Sequence, residues 1–255
     1  ARRPATLAAG VLALCVCSFG AGRDSMRQEG LALAALQSGY VGIAPTADHA
    51  SAWGAGADAT PDDPAHEATA PDWLPTPVRV WWLDVIAPAA RRHGVDPALA
   101  AIIVTVESGG NPLAESPAGA LGLYQVVPRF HSRLLEADPL DPLHNADVGT
   151  AYLADCLRRF GIRDDADWQQ SVERAAACYT GGGGGVANPV AETRAYIRWV
   201  GGMWRERHDA TSPTLEAWLA AGGHALVDDA RHVLEAVGVL PPPAPSIEAA
   251  WRPRP

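Results

Sequence analysis

The sequence predicts a mainly α domain, and three observations predict it. Apolar residues recur at helical spacing in mid-chain: Leu99, Ile102, Ile103 and Val106 stand at i, i+3, i+4 and i+7. Helix punctuation frames such stripes, with capping residues and prolines before them and glycines after them. No run of strictly alternating apolar and polar residues is long enough to read as a strand.

Bulk composition sets limits. The 255 residues allow one or two domains, and an apolar content of 48% is enough for a core. The 22 prolines and 25 glycines cluster, which separates ordered stretches from loose ones. A net charge of -9 argues against a nucleic-acid partner, because phosphate contacts need basic surface. The chain has no lysine; every basic side chain outside histidine is arginine. That excludes a Walker-type phosphate loop and Schiff-base chemistry, so the run Gly181 to Gly185 is not a nucleotide cradle.

The elements follow in order. Residues 1–22 combine Arg2 and Arg3, a short apolar stretch and a small-residue exit, the pattern of a secretory signal. The other reading is an uncleaved anchor, which would keep the N-terminal segment at the membrane. Residues 23–70 are rich in Ala, Gly, Asp, Pro and Ser without a period, and read as a linker, with a short helix at most in "SMRQEGLALAALQSG". Order is expected from Trp73. "PVRVWWLDVIAPAARRHG" has helical spacing that Pro88 should break or kink, with Arg91, Arg92 and His93 in the last turn and Gly94 after it. Asp96 and Pro97 announce the next helix as N-cap and first-turn proline.

"AGALGLYQVVPRF" reads as a tight turn into a short helix. "HNADVGTAYLADCLRRFG" reads as an amphipathic helix capped by Asn145 and ended by Gly161. "DADWQQSVERAAACYTGGGGG" is a helix expected to stop at the glycines. "NPVAETRAYIRWVGGMWRER" is the last helix of the domain spanning 71–208, with Tyr196, Val200 and Trp204 on one face. Residues 209–255 form an extension of two short helices and a proline-rich tail.

One segment carries chemistry. In "TVESGGNP", Glu107 lies at the edge of the buried stripe, at about 100° per residue, in the last turn before Gly109 and Gly110. The negative end of the helix dipole and partial burial both disfavour its anion, which suits a general acid. The bland alternative is a helix-end glutamate turned to solvent. Nothing else competes: there is no HExxH, no CxxC and no GxSxG, so neither a metal nor a cofactor is expected. Export would leave Cys156 and Cys178 as an even pair in an oxidising compartment, either bonded or as buried free thiols, and a bond is expected.

The segment "DPALAAIIVTVESGGNPLAESPAGALGLYQVVP" resembles the signature of the soluble lytic transglycosylase family. The matching residues are Glu107, Ser108, Asn111, Pro112, Ser116, Gly119 to Leu123, Gln125 and Pro128. "DPLHNADVGTAYL", "AAACYTGGGGGV" and "PVAETRAYIRWV" resemble later family segments in the same order, over roughly Val80 to Val200. Two departures stand out: Tyr124 replaces a usual Met, and Thr180 a usual Asn, both at positions expected to line the cleft.

The resemblance implies a lysozyme-like helical domain in the periplasm or cell envelope. It implies cleavage of the β-1,4 bond between N-acetylmuramic acid and N-acetylglucosamine in peptidoglycan glycan strands, with a 1,6-anhydro product. Glu107 would be acid and then base. Ser116 and Gln125 would bind the sugar, and Tyr179 and Tyr196 would orient ring and carboxyl, core packing being the alternative for both tyrosines. Other readings are a wall-binding component of an envelope-spanning assembly, with weak or no cleavage, and a hydrolytic lysozyme.

Overall fold

The computed structural model describes residues 70–161 and 168–241. The expected signal segment, the linker up to residue 69 and the tail from residue 242 lie outside them. The described residues are mainly helical. Their extended backbone pairs only at two isolated bridges, Glu115 with Leu121 and Leu121 with Val126.

Helix α1 (Thr76–Arg79) leads through a π-helical turn (Trp82–Ile86) into α2 (Ala87–His93). Pro88 falls in the first turn of α2, where its missing N–H breaks no bond. The expected kink therefore takes the form of a switch from π to α winding. Arg91, Arg92 and His93 fill the last turn of α2, and Gly94 closes it in the left-handed region at φ 68°.

Helix α3 (Pro97–Ser108) starts where Asp96 accepts a hydrogen bond from the Ala98 N–H at 2.7 Å. The expected single stripe understates it. Every residue from Leu99 to Ser108 is buried, because Ala100, Ala101 and Val104 are apolar on the faces between. A helix apolar all round belongs inside a core.

A 3₁₀ turn (Ser132–Glu136) precedes α4 (Pro142–Phe160). The cap of α4 is Asp141, whose carboxylate accepts from the His144 N–H at 2.8 Å, and not Asn145. Helix α5 (Trp168–Ala187) breaks at the glycines as expected: Gly182 leaves helical geometry at φ 58° and ψ -157°, and a further helical stretch runs on to Ala187. Helices α6 (Ala191–Arg205), α7 (Pro213–Trp218) and α8 (His224–Ala236) follow, with a π turn (Leu219–Gly223) before α8.

Helix α5 packs on both α4 and α6, while α3 meets α1, α2, α6 and α8. Leu215, Trp218 and Leu234 from the last two helices share one core with Ile102 and Leu153. Cys156 of α4 and Cys178 of α5 form a disulfide.

Asp147 ties three segments together on the surface. Its carboxylate receives Arg92 at 2.7 Å, His93 at 2.8 Å and Arg133 at 3.1 Å. The bond from His93, opposed by burial and aided by Arg92, holds its carboxyl well below the usual range. A depressed folded-state value means that this stability is fully present above the ordinary value near 3.8 and is lost as pH falls. Asp147→Asn should thus cost roughly 1–2 kcal/mol at pH 7, discounted for the half-exposed arginines. The gap in thermal melting between parent and variant should shrink below about pH 4. A gap of constant size down to pH 2 would assign the effect to packing instead.

Candidate active site

Glu107 is the penultimate residue of α3, 9% exposed. Its Oε1 accepts a hydrogen bond at 2.6 Å from the Tyr196 hydroxyl, which α6 brings in from 89 positions away.

The turn after Glu107 is closed by the backbones of two other elements. A Cβ at Gly109 would stand 2.7 Å from the Leu226 carbonyl carbon of α8. One at Gly110 would stand 2.5 Å from the Pro77 carbonyl of α1. Both glycines also have positive φ, 62° and 94°. A side chain at either would require these elements to separate. The Ser108 hydroxyl donates to the Leu123 carbonyl at 2.8 Å, and the Trp81 indole donates to the Gly110 carbonyl at 2.9 Å. The Asn111 side chain accepts from the Leu113 N–H at 2.9 Å and donates to Asp229 at 2.6 Å.

The stretch expected to turn into a short helix does not form one. It doubles back on itself, with the Gly122 N–H bonded to the Ala114 carbonyl at 2.8 Å and the Val126 N–H to Leu121 at 3.1 Å. A helix would need its glycines in right-handed geometry, but Gly119 and Gly122 have φ 78° and 73°. Ser116 and Gln125, both buried, bond within this turn. Ser116 Oγ accepts from the Ala120 N–H at 3.0 Å, and Gln125 Nε2 donates to the Ala114 and Gly122 carbonyls at 3.0 Å. Gln125 has φ 48°, in the region that favours glycine, and those side-chain bonds help hold it there.

Asn145 is the residue that the sequence reading misplaced. It is wholly buried; its Oδ1 accepts from the Tyr124 N–H, and its Nδ2 donates to the Leu121 carbonyl, both at 2.8 Å. It thereby staples the turn to α4. A further bond reaches the Pro139 carbonyl at 3.0 Å. Nothing local distinguishes this role from a cap, since an amide at a helix start suits either.

Tyr124 does not line a cleft. Its side chain is completely buried against Gly149, where a Cβ would fall 2.3 Å from the Tyr124 Cβ, and burial pushes its hydroxyl well above the ordinary value. Tyr179 donates to the Tyr124 carbonyl at 2.8 Å. Its ring continues into a stack, 5.1 Å from Tyr152, which in turn lies 4.3 Å from His131. Glu107 and Tyr196 are therefore joined directly, whereas Tyr179, Gln125 and Ser116 gather on the adjoining turn. Glu115, the nearest acid to Glu107 in sequence, is exposed. Among the described residues no group of three or more His, Cys, Asp or Glu is placed to hold a metal ion.

A buried carboxyl on a core helix, gripped by a tyrosine and followed by a glycine-closed turn, defines a helical domain organised around one acid. Residues 84–200 match the model of the transglycosylase SLT domain. The chain is similar to a protein named transglycosylase from Enterobacteria phage PRD1, 35% identical across 46% of this chain and 40% of that one. It is also similar to the endo-type membrane-bound lytic murein transglycosylase A of Klebsiella pneumoniae, 35% identical across 35% of this chain and 51% of the relative. A third relative is the membrane-bound lytic murein transglycosylase C of Salmonella paratyphi B, 36% identical across 41% of this chain and 32% of that protein. The chain thus spans between about a third and a half of the length of these relatives.

Asn145→Ala should leave the buried Tyr124 N–H without its acceptor and take from the Leu121 carbonyl one of its two donors, the other being the Val126 N–H. The expected loss is about 2–4 kcal/mol, read from denaturant unfolding. Unfolding at the parental midpoint would show that the turn holds without this amide.

Proposed function

We propose that the protein is a peptidoglycan lytic transglycosylase. It cuts the β-1,4 bond between N-acetylmuramic acid and N-acetylglucosamine and leaves a 1,6-anhydromuramoyl end. The observation that carries this reading is Glu107, a single buried carboxyl at the end of α3, bonded to Tyr196, within the segment that matches the transglycosylase SLT domain. The names of the similar proteins support the same substrate.

In this mechanism Glu107 gives its proton to the glycosidic oxygen as the bond from the muramic acid C1 breaks. Burial and the negative end of α3 favour the protonated acid beforehand. The N-acetyl oxygen of the substrate steadies the positive C1. The carboxylate of Glu107 then takes the proton of the C6 hydroxyl, whose oxygen bonds to C1. Glu107 ends as it began, and no water is consumed. The C6 nucleophile is tethered to its target, so its effective molarity exceeds that of water. Tyr196 orients the carboxyl through its 2.6 Å bond. Ser116 and Gln125 bind the sugar and its acetamido groups, and Tyr179 supports the turn that carries them.

Such a substrate puts the protein in the cell envelope, as an exported chain, and the membrane-bound names of two relatives agree with that. No helix among the described residues is long and apolar enough to cross a membrane. A hydrolytic glycosidase usually sets two carboxyl groups about 5 to 9.5 Å apart across the bond. The proposed mechanism needs only Glu107, because the tethered C6 hydroxyl stands in for the attacking water.

Glu107→Gln should fold like the parent and release no fragments from purified sacculi. Parental products should carry anhydro ends, lighter by one water than hydrolysis products. Reducing muramic acid ends that take up label from heavy-oxygen water would make the protein a lysozyme, and intact sacculi would favour a wall-binding role. Tyr196→Phe removes only the hydroxyl that touches Glu107. It should lower kcat about ten-fold with little change in melting temperature. Undiminished turnover would reduce Tyr196 to a packing role.

A further inference from the structure

Helix α8 lies beyond the matched domain, which ends at residue 200, yet it reaches the turn beside Glu107. Two contacts establish this. The Leu226 and Val227 backbone occupies the space beside Gly109 where a Cβ would be, at 2.7 to 2.8 Å. The half-buried Asp229 accepts a 2.6 Å bond from the Asn111 side-chain amide. Asn111 in turn accepts from the Leu113 N–H at 2.9 Å and bonds its own backbone N–H to the Ser108 carbonyl at 3.0 Å. The amide orientation is settled by these partners: its oxygen faces an N–H donor, so its NH₂ faces the carboxylate.

We infer that Asp229 is a positioning residue for Glu107, acting through Asn111, and that α8 is a brace that the transglycosylase domain needs from outside its own boundaries. This deepens the reading of Glu107 as the acid and rests on it. Two of the fixings of the turn come from inside the matched segment or its own helix: the Gly109 N–H to the Thr105 carbonyl at 3.0 Å, and Ser108 to Leu123 at 2.8 Å. They hold the helix end against α3 and the neighbouring turn. Others come from sequence outside residues 84–200: Trp81 on the Gly110 carbonyl, Pro77 against Gly110, and Asp229 on Asn111. Asp229 is the charged group among them, and its bond is short, at 2.6 Å. A charge-assisted bond of this kind is both stronger and more directional than a neutral one. Without it Asn111 loses a partner on the side away from Leu113, and the residue two places before Gly109 gains freedom. A reacting group misplaced by about an ångström can lose up to roughly a hundred-fold in rate while binding is unaffected.

The test compares Asp229→Ala, Asp229→Asn and Glu107→Gln in the full chain, with circular dichroism and melting as fold controls. The substrate is purified glycan strands of defined length. Asp229→Ala should lower kcat roughly ten- to a hundred-fold and leave KM within about two-fold. Asp229→Asn keeps an oxygen acceptor for Asn111 and should recover most of that loss. A folded Asp229→Ala with parental kcat overturns the inference, as does an equal loss in both variants. If Asp229→Ala does not fold, an exchanged pair decides. Asn111→Asp alone sets two carboxylates against each other and should lose kcat; adding Asp229→Asn reverses donor and acceptor and should restore it. Failure to restore overturns the inference. Continued cleavage by Glu107→Gln would instead remove the catalytic reading, whatever Asp229 does.

Discussion

Helix α3 ends inside the protein, and most of what surrounds it follows from that. A helix end leaves carbonyls without partners, and burying them requires donors close by. Trp81 supplies one at the Gly110 carbonyl, and the Gly109 N–H closes the last turn onto Thr105. Donors can come so near only because two successive residues lack a Cβ. The backbone of α8 enters the vacated space at Gly109 and that of α1 the space at Gly110. Gly109 and Gly110 are therefore packing residues as much as helix stops, and the first and last described helices are drawn together around them.

The same economy of space shapes the turn from Ala114 to Val126. Gly122 has no Cβ because Asn145 Nδ2 would lie 2.4 Å from it, and Gly149 has none because Tyr124 lies there. In each case a side chain from one segment occupies the room a methyl group would take in another. Asn145 and Tyr179 then bind the backbone on either side of Tyr124, at its N–H and its carbonyl. The residue ahead of Gln125 is held at both ends, which gives the left-handed Gln125 a rigid support. Strain of this sort persists only where neighbours over-determine it, and it concentrates at sites that do something.

Much of this was legible in the sequence, and the parts that were not share a physical cause. Asp96, Pro97, Gly94 and Gly109 act within one helical turn, so their roles could be read from spacing alone. Glu107 was legible because an apolar helix leads to it and glycines follow. The Cys156–Cys178 pair was legible from counting. Asn145 was mistaken for a cap because a cap and a long-range staple look alike locally; the difference lies in Tyr124 and Leu121, more than twenty positions away. The glycine run was legible as a break, and Gly182 is the residue in it that leaves helical geometry. Tyr124 was expected at a surface, and Gly149 across the fold makes the pocket that buries it. Asp229 had no local signal at all, since its partner lies 118 residues earlier.

A buried carboxyl is costly unless something nearby favours one of its forms. Around Glu107 the apolar helix and its negative end disfavour the anion, while the Tyr196 hydroxyl at 2.6 Å can stabilise it. The two influences oppose each other, and an acid that becomes a base in the proposed mechanism needs both forms. The balance depends on distance more than on residue type: a tyrosine that drifted by an ångström would no longer be hydrogen-bonded. Helix α6 carries Tyr196 and α3 carries Glu107, and these two helices pack directly on each other. The rigidity that serves the core is thus the same rigidity that sets the chemistry. This explains why a domain organised around one acid surrounds it with glycines, where backbones can close without tolerance for side chains.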